Sequence, residues 1–172
     1  MKRFWILAGL VGISAAAQAQ SSPLDLQPAN LSFRVNLAYP LDNATRDLTN
    51  TLIGVGIDYH FLTQFFKGSQ TYLSIDWLGK SGSGAKGNMF PILINQKFYS
   101  NTGVDGKGRT YLFGGVGVVF LDITTAKTTI AGQAGFGYEF GPNIFSEFRF
   151  LISDSANNSK ANQIGISVGY RF

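Results

Sequence analysis

No cysteine occurs in the 172 residues, which rules out disulfides, thiol nucleophiles and acylation at a lipoprotein cysteine. Histidine is nearly as scarce, and His60 is the only one. One imidazole without thiols cannot assemble a transition-metal site, and no acidic loop supports oxygen-only calcium ligation. Charge is thin too: 14% of residues are Asp, Glu, Lys or Arg, and the basic ones form no run. That argues against a nucleic-acid partner. After the first 20 residues no stretch is apolar enough for a helical membrane span. The glycines of the GGVGV run at 114–118 do not lead from a strand into a helix, so they are no phosphate loop. No metal and no cofactor is expected.

What the chain does have is aromatic residues (14%) and 21 glycines, arranged in alternating segments. Its amino-terminus reads as a secretory signal. Lys2 and Arg3 supply a positive start, Phe4–Ile13 a short apolar core, and Ala17-Gln18-Ala19 a small-x-small cleavage pattern. The apolar core is shorter than the roughly 20 residues of a spanning helix. A signal at 1–19 and a lead-in at 20–31 leave a single domain over 32–172. Loss of Lys2 and Arg3 lowers the net charge of +4 by two.

Eight period-2 segments follow, at 32–39, 51–61, 71–78, 89–99, 110–121, 128–140, 144–153 and 162–172. They are separated by turn-rich stretches such as GKSGSGAKGN at 79–88 and NTGVDGKGR at 101–109. Segment lengths suit the about 9–11 residues of a tilted strand crossing a bilayer. In the second segment Ile53, Val55, Ile57, Tyr59 and Phe61 alternate with Gly54, Gly56, Asp58 and His60. The fourth has Gln96 on its apolar row, which suggests a bulge or a position near the membrane interface, and Pro91, which belongs near a strand end or irregularity. The fifth, YLFGGVGVVFL, is apolar on both parities, so its faces stay open.

The last segment, NQIGISVGYRF, is the most regular. Ile164, Ile166, Val168, Tyr170 and Phe172 share one parity, and Gln163, Gly165, Ser167, Gly169 and Arg171 the other. This terminus resembles the assembly signal of bacterial outer-membrane barrels, which favours aromatic or apolar residues at the last and third-from-last positions. Tyr170 and Phe172 match it. Ser167 stands where the signal prefers glycine, and Gly165 where it prefers a polar residue. The alternating pattern of the whole mature chain is similar to small outer-membrane barrels of the OmpX, OmpA-domain and OmpW types. The resemblance implies an all-β, eight-stranded antiparallel up-and-down transmembrane barrel in the cell outer membrane. It also implies contact with outer-membrane lipid and with the barrel-assembly machinery through the terminal strand; a monomer is favoured.

Two soluble architectures, a lipocalin- or avidin-like cup and a β-sandwich, also use alternating strands. Aromatic placement separates them. Phe33, Tyr59, Phe61, Phe98, Tyr138, Phe140, Tyr170 and Phe172 fall at one end of the strands, and Tyr39, Trp77 and Phe90 at the other. Two belts are the expectation for interfacial anchoring. Arg34, Asp58, Asp76, Lys97, Glu139, Glu147, Arg149 and Arg171 all lie on the parity opposite the apolar row. With His60 they form the expected lumen network, balanced in charge, which reads as a filled core before it reads as a pore. The expected outward loops, 41–50, 79–88, 122–127 and 154–161, look too short for a lid.

No catalytic constellation stands out. A lipid-modifying barrel enzyme would need a histidine beside a serine near the outer end, and no serine in the sequence claims His60. Glu147 and Arg149, two apart on one face, fit the lumen network more simply than a guest site. The function expected is structural or surface-interacting, without enzymatic activity. A narrow passive channel for small or apolar solutes is the alternative, and a lipid-modifying enzyme the next.

Overall fold

The computed structural model describes residues 30–62, 65–66, 68–80, 87–100, 108–122, 126–155 and 159–172. The expected signal peptide, nearly all of the lead-in, and the centres of the 79–88 and 101–109 loops lie outside these residues. Eight strands form one closed antiparallel barrel in sequence order. They are β1 (Leu31–Pro40), β2 (Leu52–His60), β3 (Ser69–Lys80), β4 (Asn88–Tyr99), β5 (Arg109–Asp122), β6 (Ala126–Glu139), β7 (Ile144–Ser153) and β8 (Gln163–Arg171). Closure comes from β1 pairing with β8, from Ser32↔Arg171 to Pro40↔Gln163. The end where β1 begins and β8 finishes is called the lower end here.

Alternation decides the faces. In β1 every second residue from Ser32 is buried and every second from Phe33 exposed. The register carries the exposed row from Phe33 to Ile57, Ile75, Ile92, Val118 and Ile130. At mid-height the outer wall is thus an apolar surface far beyond what a water-soluble monomer exposes. Charge on such a wall in lipid would cost about 2–4 kcal/mol at mid-depth. The charged residues named from sequence all face the other way.

Three sequence expectations change. Gln96 makes no bulge: Thr71↔Gln96 and Gln96↔Gly114 stay in register. The irregularity sits at Pro91. There the β3–β4 pairing lapses after Ile75↔Ile92 and resumes at Leu78↔Met89, because Pro91 has no amide to donate. The faces of β5 are now settled, with Tyr111, Phe113, Val119 and Leu121 inside and Leu112, Val116 and Phe120 outside. Finally, the loop after β1 is more than polar connection. It holds a one-turn helix, α1 (Asn43–Arg46), with Thr45 buried and Leu48 packed on apolar side chains inside the barrel's upper end.

Candidate functional site

The interior is the site, and it has two storeys. The upper one is apolar. Leu52, Met89, Leu93, Val119, Leu121 and Leu151 meet there, each at most 4% exposed. The lumen expected from sequence was polar throughout, and this half corrects it. These residues occupy the inward parity from the strands' upper ends down to Leu93 at the middle of β4.

The lower storey holds the charges. Arg34, fully buried, is its hub: Nη2 donates to Asp76 Oδ1 and Oδ2 at 2.8 and 2.9 Å, and Nη1 pairs with Asp58. Asn36 Nδ2 adds a donor to Asp76 Oδ1 at 2.9 Å. Across the lumen, Arg149 reaches Asp76 Oδ2 at 3.3 Å and Glu147 Oε2 at 2.6 Å. Lys97 Nζ, also fully buried, lies 3.5 Å from Glu147 Oε1 and 4.0 Å above the Tyr111 ring. Three cations therefore face three carboxylates. Buried ions persist when each has a partner, because removing one strands the others in a medium that solvates them poorly.

Glycines on the inward row let these partners meet. The register sets Gly56 between Arg34 on one neighbouring strand and Asp76 on the other, and the ion pair passes over it. The same arrangement recurs at Gly137, between Tyr111 and Glu147, where Tyr111 Oη donates to Glu147 Oε1 at 2.8 Å. It occurs again at Gly115, between Asn95 and Gln133, where Gln133 Nε2 donates to Asn95 Oδ1. A Cβ at Gly56 would collide with the Asp76 carboxylate, and one at Gly137 with the Tyr111 ring. Tyr72, Tyr111, Asn36, Asn95 and Gln133 complete the network. The inward parity of all but Tyr111 was legible in sequence, but Asn36, Tyr111 and Gln133 find partners two strands away.

At the lower mouth Glu139 gathers Arg109, Arg171 Nη2 at 2.8 Å and Tyr99 Oη at 3.0 Å. Arg109 was not among the expected network residues; it begins β5 and its side chain is half exposed. His60 does have a serine, contrary to expectation: Ser32 Oγ lies 2.8 Å from its Nε2, joining β1 to β2 across the inner wall. Both residues are buried, and His60 Nδ1 has no hydrogen-bond partner. A nucleophilic dyad needs a third group to orient the imidazole and a substrate within reach. Among the described residues no such third group meets His60 Nδ1. Between the storeys lies a cavity of about 30 Å³, bounded by Asn36, Asp76, Gln133 and Arg149 below and Leu78 and Leu151 above. Among the described residues no cluster of three metal-ligating side chains forms.

The aromatics named from sequence face outward, and six of them form pairs along their strands. Tyr59–Phe61, Tyr138–Phe140 and Tyr170–Phe172 stack edge to face at 5.2, 4.9 and 5.4 Å on β2, β6 and β8, ringing the lower end. Phe33 and Phe98 lie toward the same end, while Tyr39, Trp77 and Phe90 lie toward the upper one. There Trp77 Nε1 donates to Asn88 Oδ1 at 3.3 Å.

A closed barrel, apolar outside, belted by aromatics and ion-paired within, is a membrane architecture. The outer membrane protein beta-barrel domain model matches residues 5–172. The chain belongs to that family. Among solved structures it is similar in fold to the N-terminal barrel of Pseudomonas aeruginosa OprF, at 19% identity and a TM-score of 0.54 over 83% of this chain and 96% of that one. It is also similar to the outer membrane enzyme PagL, at 10% identity and 0.61 over 82% and 98%. A third is the Yersinia pestis outer membrane protein Ail in a bilayer nanodisc, at 16% identity and 0.52 over 83% and 98%. No curated protein matches the sequence. At these identities the likeness is one of fold.

Proposed function

We propose that this barrel is a non-enzymatic scaffold of the outer membrane with a structural or surface-interaction role, and that its lumen is closed to solutes. The stacking of the two storeys carries the reading. A solute would have to part the Arg34–Asp76–Arg149–Glu147 layer and then the Leu93–Val119–Leu121 layer above it. Eight-stranded barrels have an interior that side chains fill, and here two chemistries do so in series.

In this reading residues 1–19 direct export and are removed, and both termini face the periplasm. Tyr170 and Phe172 on β8 address the assembly machinery. The upper end, with the α1 loop, faces outward. Asn43, Arg46, Asp47 and Asn50 are exposed there, a short polar surface for contact rather than for catalysis.

Planar-bilayer recording on refolded, heat-modifiable protein tests the closed lumen. The expected outcome is no discrete conductance above the bare bilayer. Steady unitary openings would overturn it in favour of the narrow channel.

A further inference from the structure

The turn between β2 and β3 is built unlike a water-facing connection. Leu62 is 76% exposed and Phe66 61%, with Phe65 beside them at 36%. Leu62 and Phe66 are among the most exposed apolar side chains of the lower end, and all three residues lie beyond the strands. We propose that this turn is a membrane anchor that lays Leu62, Phe65 and Phe66 into the lower-end leaflet of the bilayer. The occupant is phospholipid.

Geometry supplies the argument. The Phe66 ring lies 6.2 Å from that of Phe98, whose side chain faces outward on β4. The turn starts from β2, so to reach β4 it leans sideways across the outer wall of β3. Gly68, at φ +77°, reverses the chain, and Ser69 N donates to Phe66 O at 3.1 Å, which locks the lean. Beneath lie the polar residues of that wall. Thr71 Oγ1 donates to Gln96 Oε1 at 2.8 Å, and Gln96 Nε2 to Ser69 Oγ at 2.5 Å. Ser69 and Thr71 are 3% and 1% exposed despite sitting on the outward row. The turn thus covers a hydrogen-bonded polar patch and presents apolar side chains in its place. Through Phe98 that surface is continuous with the lipid-facing wall, and it follows directly on the Tyr59–Phe61 pair of the aromatic collar. Apolar and aromatic groups at this level insert about 5–10 Å into the headgroup–acyl boundary.

The test places a single indole on the turn: Leu62→Trp in a background with Trp5→Phe and Trp77→Phe, which removes both native tryptophans. The protein is refolded into phosphatidylcholine vesicles carrying bromine at defined acyl depths. Heat-modifiable mobility certifies folding, and both leaflets carry the same lipid, so orientation does not matter. Phe65→Trp in the same background stands in if Leu62→Trp does not fold. The expected result is blue-shifted emission and loss of roughly half the intensity with bromine high on the acyl chain. Water-like emission quenched by iodide and untouched by brominated lipid would overturn the proposal. Protection from both quenchers, with cross-linked dimers, would assign the surface to a second copy and overturn it equally. Neither result depends on whether the lumen conducts.

Discussion

The two storeys of the lumen occupy the same inward row of the same strands, yet they hold together by opposite means. Below, Arg34, Lys97 and Arg149 face Asp58, Asp76 and Glu147, and each ion depends on a partner reaching in from another strand. Above, Leu52, Met89, Leu93 and Leu121 pack without any directional requirement. A packed leucine tolerates approximate geometry, because dispersion contacts are individually small. An ion pair across the lumen tolerates little, since desolvation is recovered only when donor and acceptor meet. The lower storey therefore depends on strand alignment more than the upper one does.

The contrast can be broken at its most demanding point. Arg34→Leu leaves Asp58 buried without its cation and Asp76 with Arg149 alone, and should cost about 3–5 kcal/mol in denaturant unfolding from micelles or vesicles. Adding Asp58→Asn to it, which leaves Lys97 and Arg149 facing Asp76 and Glu147, should recover much of the loss; no recovery would mean that Arg34 acts by volume rather than by charge. In the upper storey Leu93→Ala removes packing alone, and about 2–4 kcal/mol is expected in the same assay. A loss under about 0.5 kcal/mol there would show that the apolar cluster is loose and would sharpen the case for a solute path.

The finest test compares two glycines. Gly56→Ala pushes a methyl into the Arg34–Asp76 bridge, with an expected cost of about 1–3 kcal/mol. Gly114→Ala projects outward, where the nearest atom to its Cβ would be Gln133 O at 3.6 Å, and should stay within about 0.5 kcal/mol. Equal effects at the two sites would remove the account in which partners meet over inward glycines.

Much of this architecture is legible in the order of residues. Charges at Arg34, Asp58, Asp76, Glu147 and Arg149 sit opposite an apolar row, and period 2 turns parity directly into face. Where parity carries no contrast, as in β5 with YLFGGVGVVFL, only pairing can choose, and it sets Tyr111 and Phe113 inward beside their partners. Pro91 and Gln96 are both visible as anomalies, but which one disturbs the ladder depends on whether a missing amide faces a neighbour. Ser32 and His60 stand 28 residues apart, and nothing local joins them.

By itself, then, the sequence determined the strand count, the faces of every strand but β5, the aromatic collar and the membrane setting, because each follows from local periodicity and composition. The tertiary structure alone decided who pairs with whom. Register is a relation between strands, and a bridge such as Arg34–Gly56–Asp76 exists only once three strands are aligned and the barrel is closed. The division of the lumen into charged and apolar storeys follows for the same reason, since height in a tilted barrel is set by stagger between strands rather than by position along any one of them.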